Sequence, residues 1–332
     1  MHAVDFLKNP PRDAGAVPAV VAAHGTQRTL KRRCVDALVA AALGGADEPT
    51  RLPGETADLA AVLDELRTVS MFAAARVVVV EEADGFVSAH RAGLERYVAA
   101  PAGGSTLILE VEKWPKTTRL AKAVAAGGLE IECKDLSPAK AAGFLVRTAK
   151  DEFGTALAKD AADLMTRFAG TDLGLLEQEL GKLCSFAADR DPRRVTAEDV
   201  VELVGDSSIR NVFAMLGDVR RGNLGGALAE LDKLLAAGEA PMKVLAGAGF
   251  ALRKLAEAVD ISAGGGGLPR ALTAAGVFPK ERAESEQYLR RLGRDRASRF
   301  RALLLKADGD LRGGSALPDR AVLERLLVEL AA

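Results

Sequence analysis

The apolar positions of this chain fall into two regimes. Over residues 1–137, short β-branched runs alternate with helical periodicity. Residues 17–23 (VPAVVAA), 76–80 (RVVVV), 105–111 (STLILEV) and 129–133 (LEIEC) are bounded apolar runs that predict buried strands. Between them, residues 29–43, 56–69 and 117–126 predict helices. In the second of these, Leu59, Val62, Leu63, Leu66 and Val69 share one face. Gly127 and Gly128 stop the third. Strands alternating with helices imply βα units and a mostly parallel sheet.

After Asp135-Leu136-Ser137-Pro138 the periodicity is helical throughout, and no further strand is predicted. Ser137 suits a cap and Pro138 a first helical turn. Helices are predicted over residues 138–153, 158–169, 172–188 and 196–204. The last opens on Thr196 as cap, with Glu198 and Asp199 in its first turn. Asp206-Ser207-Ser208 reads as a further boundary, and from Ile209 the chain is all-α, interrupted at residues 264–267 and 313–314. The pattern therefore predicts three domains: 1–137, 138–206 and 207–332.

Composition narrows the reading. Apolar residues make up 48% of the 332 and aromatics only 4%, so the cores must be built from Ala, Leu and Val. With 45 Lys and Arg against 46 Asp and Glu, the net charge of −1 argues against a stand-alone binder of nucleic-acid phosphates. The balance is uneven, however. Residues 206–332 carry 20 Lys and Arg against 16 Asp and Glu, and the two earlier segments are acidic. Cys34, Cys133 and Cys184 lie far apart in the sequence without a CxxC pair, so neither a disulfide framework nor a thiolate metal site is expected. His2, His24 and His90 do not cluster in the sequence either. The first residues have no long apolar run, so no secretory signal is expected, and no apolar run approaches the ~20 residues of a membrane helix.

A strand, loop and helix at the start invite a test for a phosphate-binding loop. That loop needs two glycines for backbone approach, a lysine, and a Ser or Thr for magnesium. Residues 25–32 (GTQRTLKR) keep Gly25 and Lys31, but Leu30 replaces the second glycine and Arg32 the magnesium ligand. ATP hydrolysis is not expected, nor is any bound cofactor. Glu81 and Glu82 end an apolar strand as the metal-binding acids of ATPases do, yet without a phosphate cradle they read as solvated carboxylates. No nucleophile motif or metal-binding motif occurs, and Ser88 beside His90 does not by spacing make a triad. No catalytic site is predicted.

Two features suit binding. Met71 and Phe72 follow the amphipathic helix as adjacent large apolar residues, which cannot share one helical groove. They form either an exposed hot spot or part of the core under the sheet. Arg290, Arg291, Arg294, Arg296, Arg299 and Arg301 form the second feature. They could track phosphates, form a solvated face paired with Glu281, Glu284, Glu286 and Asp295, or make a basic subunit interface. The absence of accompanying aromatics ranks the last two above direct DNA contact.

The order of these motifs resembles the delta subunit of the bacterial DNA polymerase III clamp loader. The resemblance is carried by Ser70-Met71-Phe72 ahead of residues 76–80, the loop Glu112-Lys113-Trp114-Pro115-Lys116, residues 170–183 (GTDLGLLEQELGKL) and residues 195–200 (VTAEDV). It continues through residues 212–218 (VFAMLGD), Gly222-Asn223-Leu224, residues 227–231 and 234–241, and residues 250–255 (FALRKL). It implies a RecA-like (AAA+-type) α/β domain with a parallel sheet, then a small helical lid and an all-α helical collar. It implies a subunit that does not hydrolyse ATP within a DNA-directed DNA polymerase assembly. It would be cytoplasmic, with no membrane partner. Met71 and Phe72 would enter a pocket on the sliding clamp, beta, and favour its opening during replication. The collar would join other clamp-loader subunits, and primed DNA would be met in the assembled complex. Met71 stands where the family more often has Leu, a substitution of similar volume and greater flexibility. The rival readings are a nucleic-acid-binding or scaffold protein acting through residues 290–301, and an active ATPase.

Overall fold

A computed structural model describes residues 1–44, 47–68, 75–204, 207–265 and 267–331. The chain divides into two units: Met1–Ser137 with Asp172–Gly174, and Pro138–Thr171 with Leu175–Ala332.

The first unit is built on five parallel strands: β1 (Val20–His24), β2 (Thr50–Pro53), β3 (Arg76–Glu81), β4 (Ser105–Val111) and β5 (Leu129–Glu132). Their order is β2-β3-β4-β1-β5. β4 lies between β1 and β3, unlike the order in dinucleotide-binding or flavodoxin-type sheets. Helices cover both faces, which is why β1, β3 and β4 read as unbroken apolar runs rather than alternations. On one face Ala22, Val78, Val80, Leu107 and Leu109 pack with α3 (Leu59–Arg67), α4 (Asp84–Ala99) and α5 (Arg119–Gly127) through Val62, Leu66, Phe86, Leu94 and Val124. α2 (Arg28–Leu43) contacts β1, β3 and β4 and buries Leu30, Cys34, Val35 and Leu38.

Several boundaries differ from the pattern reading. β1 begins at Val20, two residues past Pro18, whose missing N–H cannot join a ladder. α3 begins at Leu59 because the Asp58 carboxylate accepts from the N–H groups of Ala60 and Ala61 at 2.9 and 3.2 Å. Val69, placed on that helix by periodicity, lies outside the described residues. The pattern reading has no counterpart for α1 (Ala3–Phe6), a single helical turn, for β2, a four-residue edge strand ending in Pro53, or for α4, whose turn at His90 has φ −115° and ψ 21°. Cys34 and Cys133, remote in sequence, meet in the core, where a hydrogen bond between the thiols and burial together raise the Cys34 pKa.

The second unit is helical, with one exception. β6 (Ala156–Leu157) and β7 (Arg194–Val195) form a two-residue parallel ladder, which corrects the expectation of no strand after residue 135. β7 leads into α9 (Ala197–Leu203), where Thr196 and Asp199 make a reciprocal capping box. Arg190 grips the Asp199 carboxylate through two 2.7 Å hydrogen bonds. Helices α6 (Pro138–Phe153), α7 (Lys159–Phe168) and α8 (Leu173–Phe186) precede this corner. After it come α10 (Ser207–Arg221), α11 (Leu224–Ala236), α12 (Pro241–Ala263), α13 (Leu268–Ala274), α14 (Arg282–Leu292), α15 (Arg294–Ala297), α16 (Phe300–Gly309) and α17 (Asp319–Ala331). Phe213, Phe250 and Phe278 cluster with ring centroids 5.5–6.4 Å apart, and Lys254 lies over the last two rings. Tyr288 stacks on Phe300 and donates to the Leu330 carbonyl at 2.8 Å, tying α14 to α17. No described helix is long and apolar enough to cross a membrane.

Candidate functional site

Open parallel sheets bind ligands beyond the carboxyl ends of their strands. Here that edge carries a cavity of about 890 Å³, lined by Gly25 and the first turn of α2 and by the ends of β2, β3 and β4. Its size suits a nucleotide, but several of its groups are engaged with one another. The Gly25 N–H donates to the Val111 carbonyl at 3.1 Å and the Gln27 N–H to the Cys133 carbonyl at 2.9 Å. Two of the loop's amides are thus committed to β4 and to the chain just past β5. Leu30, at the position of the missing glycine, is wholly buried. Lys31 Nζ lies 3.5 Å from the Val111 carbonyl. Arg28 pairs with Glu82 at 2.7 Å, and Arg51 pairs with Glu81 at 3.0 Å and Asp36 at 3.3 Å. Asp84 accepts from the backbone of Glu112 and Lys113. Burial, then the Glu81 charge, raises the Glu110 pKa. Among the described residues no group of His, Cys, Asp or Glu could hold a metal ion.

Purified protein is therefore expected to bind and turn over no ATP. Equilibrium dialysis with labelled ATP checks the first point and phosphate release the second; turnover abolished by Lys31→Ala would sink this reading.

Other sequence candidates fall into ordinary roles. His24 is buried and stacked 6.4 Å from Trp114, and burial lowers its pKa. The Trp114 indole donates to Glu130 at 2.8 Å. His90 faces the Phe86 ring at 5.0 Å, and Ser88 is exposed.

Met71 and Phe72 lie in residues 69–74, outside the described residues. The chain on either side is well anchored. Glu65 of α3 receives both Arg76 of β3 and Thr50 of β2. Ser105 of β4 donates to the Leu66 carbonyl at 2.7 Å, and the Arg76 N–H donates to the Gly104 carbonyl at 2.9 Å. The end of α3 and the start of β3 are thus clamped together at the amino edge of the sheet, away from the cavity.

The six arginines of residues 290–301 do not lie on one helix. They are spread over α14, α15, the turn after it and α16. Arg290 pairs with Glu286 at 2.6 Å, and Arg301 with Asp260 at 2.6 Å. Arg291 donates to the Arg220 carbonyl and lies over the Tyr288 ring. Arg294, Arg296 and Arg299 are exposed. Glu281 and Glu284, named from sequence as partners of this stretch, instead pair with Arg220 and Arg221 of α10.

No protein-family model matches the chain. It is 30% identical over 155 residues to the DNA polymerase III subunit delta of Bacillus subtilis (strain 168), a match covering 46% of this chain and 44% of that one. The chain thus spans less than half the length of this curated relative. Among solved structures, the DNA clamp loader delta protein of Bacillus subtilis matches with a TM-score of 0.50 and 22% identity, covering 99% of this chain and 98% of that one. The RuvB Holliday junction branch migration motor of Thermotoga maritima matches with a TM-score of 0.35 and 14% identity, over 83% and 80%. A parallel-sheet α/β unit followed by helices accords with the RecA-like expectation. The chain is therefore a sequence relative, over those 155 residues, of a DNA polymerase III delta subunit, and it has the fold of a clamp loader delta protein.

Proposed function

We propose that this protein is a clamp-loader subunit that binds and helps to open the sliding clamp without hydrolysing ATP. The observation that carries the reading is the conjunction of that delta fold along nearly the whole chain with loop amides already bonded within the protein. Met71 and Phe72 are the anchor for the clamp. The described chain on either side of them is held by the Glu65–Arg76 and Ser105–Leu66 contacts. The subunit must bind the opened clamp more tightly than the closed one, since only differential affinity shifts an equilibrium. Residues 1–137 would engage the clamp, 138–206 act as lid, and 207–332 form the collar that meets other loader subunits. Primed DNA would be encountered in that cytoplasmic assembly.

The test is binding of the purified chain to its own sliding clamp, wild type beside a Met71→Ala/Phe72→Ala variant. A hot-spot pair should contribute ~2 kcal/mol or more, about a 30-fold loss of affinity, with an unchanged circular dichroism spectrum. Equal affinity of the two proteins would remove Met71 and Phe72 as the anchor. No binding by wild type would remove the clamp reading itself.

A further inference from the structure

Within the second unit, α12 and α16 turn stripes of side chains toward a shared groove. Met242, Leu245, Gly249 and Arg253 on α12 and Arg301, Leu304 and Asp308 on α16 recur at helical three- and four-residue spacing, so each set lies on one side of its helix, with Leu305 beside Leu304. With Arg167 of α7 they enclose about 440 Å³. Leu304 is nearly buried, whereas Leu305 is 74% exposed, the highest exposure of any large hydrophobic side chain described. A leucine so placed beside an apolar groove is the kind of feature that interface cores use.

The charges around this floor are one-sided. Four arginines line the groove, and two are satisfied: Arg301 by Asp260 and Arg312 by Asp308. Among the described residues no carboxylate pairs with Arg167 or Arg253. The Arg253 guanidinium folds back over Gly249, where a Cβ would come within 3.0 Å of Nη1. Burial against the groove, then the like charge of Arg167, lowers the Arg253 pKa. Two like charges gathered over an apolar floor are unfavourable alone and become favourable once a carboxylate binds between them. None of the lining residues is aromatic, so the groove lacks the stacking platform of a single-strand binder.

We propose that this groove docks an acidic amphipathic helix of a partner protein, its leucine-type side chains over Leu245, Leu304 and Leu305 and its carboxylates on Arg167 and Arg253. The mode is helix-in-groove recognition, with apolar anchors for affinity and the arginine pair for register and charge selection. It is independent of the clamp reading, which places its anchor in the first unit.

The experiment is fluorescence anisotropy with the full chain and a labelled amphipathic peptide of about four helical turns, with leucines along one face and glutamates beside them. Saturable binding is expected, weakened at least about tenfold by Arg167→Glu/Arg253→Glu and by Leu305→Asp. It should also weaken as salt rises and when the peptide glutamates become glutamines. Circular dichroism of each variant establishes that it is folded. Absence of saturable binding, or equal binding by the double arginine variant, overturns the proposal. So does a single-stranded oligonucleotide that outcompetes the peptide and loses its own binding in that variant, which would make this a nucleic-acid site. Clamp binding by these variants should be unchanged, so a failure here and a failure of the clamp reading are told apart.

Discussion

Replacing Arg220 by alanine is expected to destabilise the second unit by about 3–5 kcal/mol, the usual cost of removing one member of a buried ion pair. The Arg220 side chain is 5% exposed and its partner Glu281 18%, and Nη2 donates to Glu281 Oε1 at 2.8 Å. The pair joins α10 to the start of α14. The loss would come less from the missing bond than from a carboxylate left in a dry site without its cation. Burial raises the Glu281 pKa, and Arg220 opposes that rise. Without Arg220 the pKa should climb further. A carboxyl whose pKa is higher folded than unfolded takes up protons preferentially in the folded state, so its stability contribution improves as pH falls through the raised value. The deficit of Arg220→Ala relative to wild type should therefore be largest at neutral pH and shrink on acidification. Glu281→Leu added to Arg220→Ala should recover part of it, because an apolar pair avoids the buried charge. Hydrogen exchange of the α10 and α14 amides measures the second unit directly. The fluorescence of Trp114, the sole tryptophan, reports the first unit and should not change. A deficit independent of pH would show that Glu281 is not the group left stranded.

How much of this was legible in the sequence depends on how locally each feature is determined. β3 and β4 are buried on both faces and announce themselves as Val77–Val80 and Leu107–Leu109. α5 is bounded by its Thr118 cap and by Gly128, both readable from residue type. β2 was not, because an edge strand of four residues alternates half-buried and exposed positions and ends in proline, which reads equally as loop. The β6–β7 ladder is two residues long and joins segments remote in sequence, so no periodicity betrays it. The missing phosphate chemistry was visible at Leu30 and Arg32, but the hydrogen bonds that occupy the loop, from Gly25 to Val111 and from Gln27 to Cys133, depend on three strands meeting. The arginine stretch stands out in sequence by its density, but its partners differ from residue to residue: Glu286 for Arg290 lies one helical turn away, whereas Asp260 for Arg301 lies on another helix. Of the groove's arginines, Arg167 and Arg253 have no carboxylate partner among the described residues; they lie far apart in sequence and come together where α7 packs on α12.

Gly25 tests the same point from the side of stability. In a phosphate-binding loop this glycine lets the backbone approach the ligand. Here it has φ +131°, a region that L side chains rarely adopt, and an added Cβ would lie 2.6 Å from the Cys133 carbonyl carbon. The end of β1 is closed on both sides at this residue: the Gly25 N–H bonds to Val111, the Cys133 N–H bonds to the His24 carbonyl at 2.6 Å, and the Gln27 N–H returns to Cys133. No rotamer change can relieve the contact, because the obstacle is backbone. Strain of about 1–3 kcal/mol and overpacking of similar size should act together in Gly25→Ala, giving a loss of about 3 kcal/mol or more in the first unit. Gly44 is the control. It also has positive φ, +61°, at the end of α2, but a Cβ there would meet nothing within 4 Å. Gly44→Ala should therefore lose only about 1 kcal/mol, the left-handed penalty alone. Urea unfolding followed by Trp114 fluorescence separates the two, since at about 1–3 kcal/mol per molar the Gly25→Ala midpoint should fall by a molar or more. Equal midpoints for both variants would show that the crowding against Cys133 is relieved by backbone movement. The loss at Gly25 should be the same with and without ATP in the buffer, because in this chain the glycine serves the closure of β1 between its neighbours and no ligand.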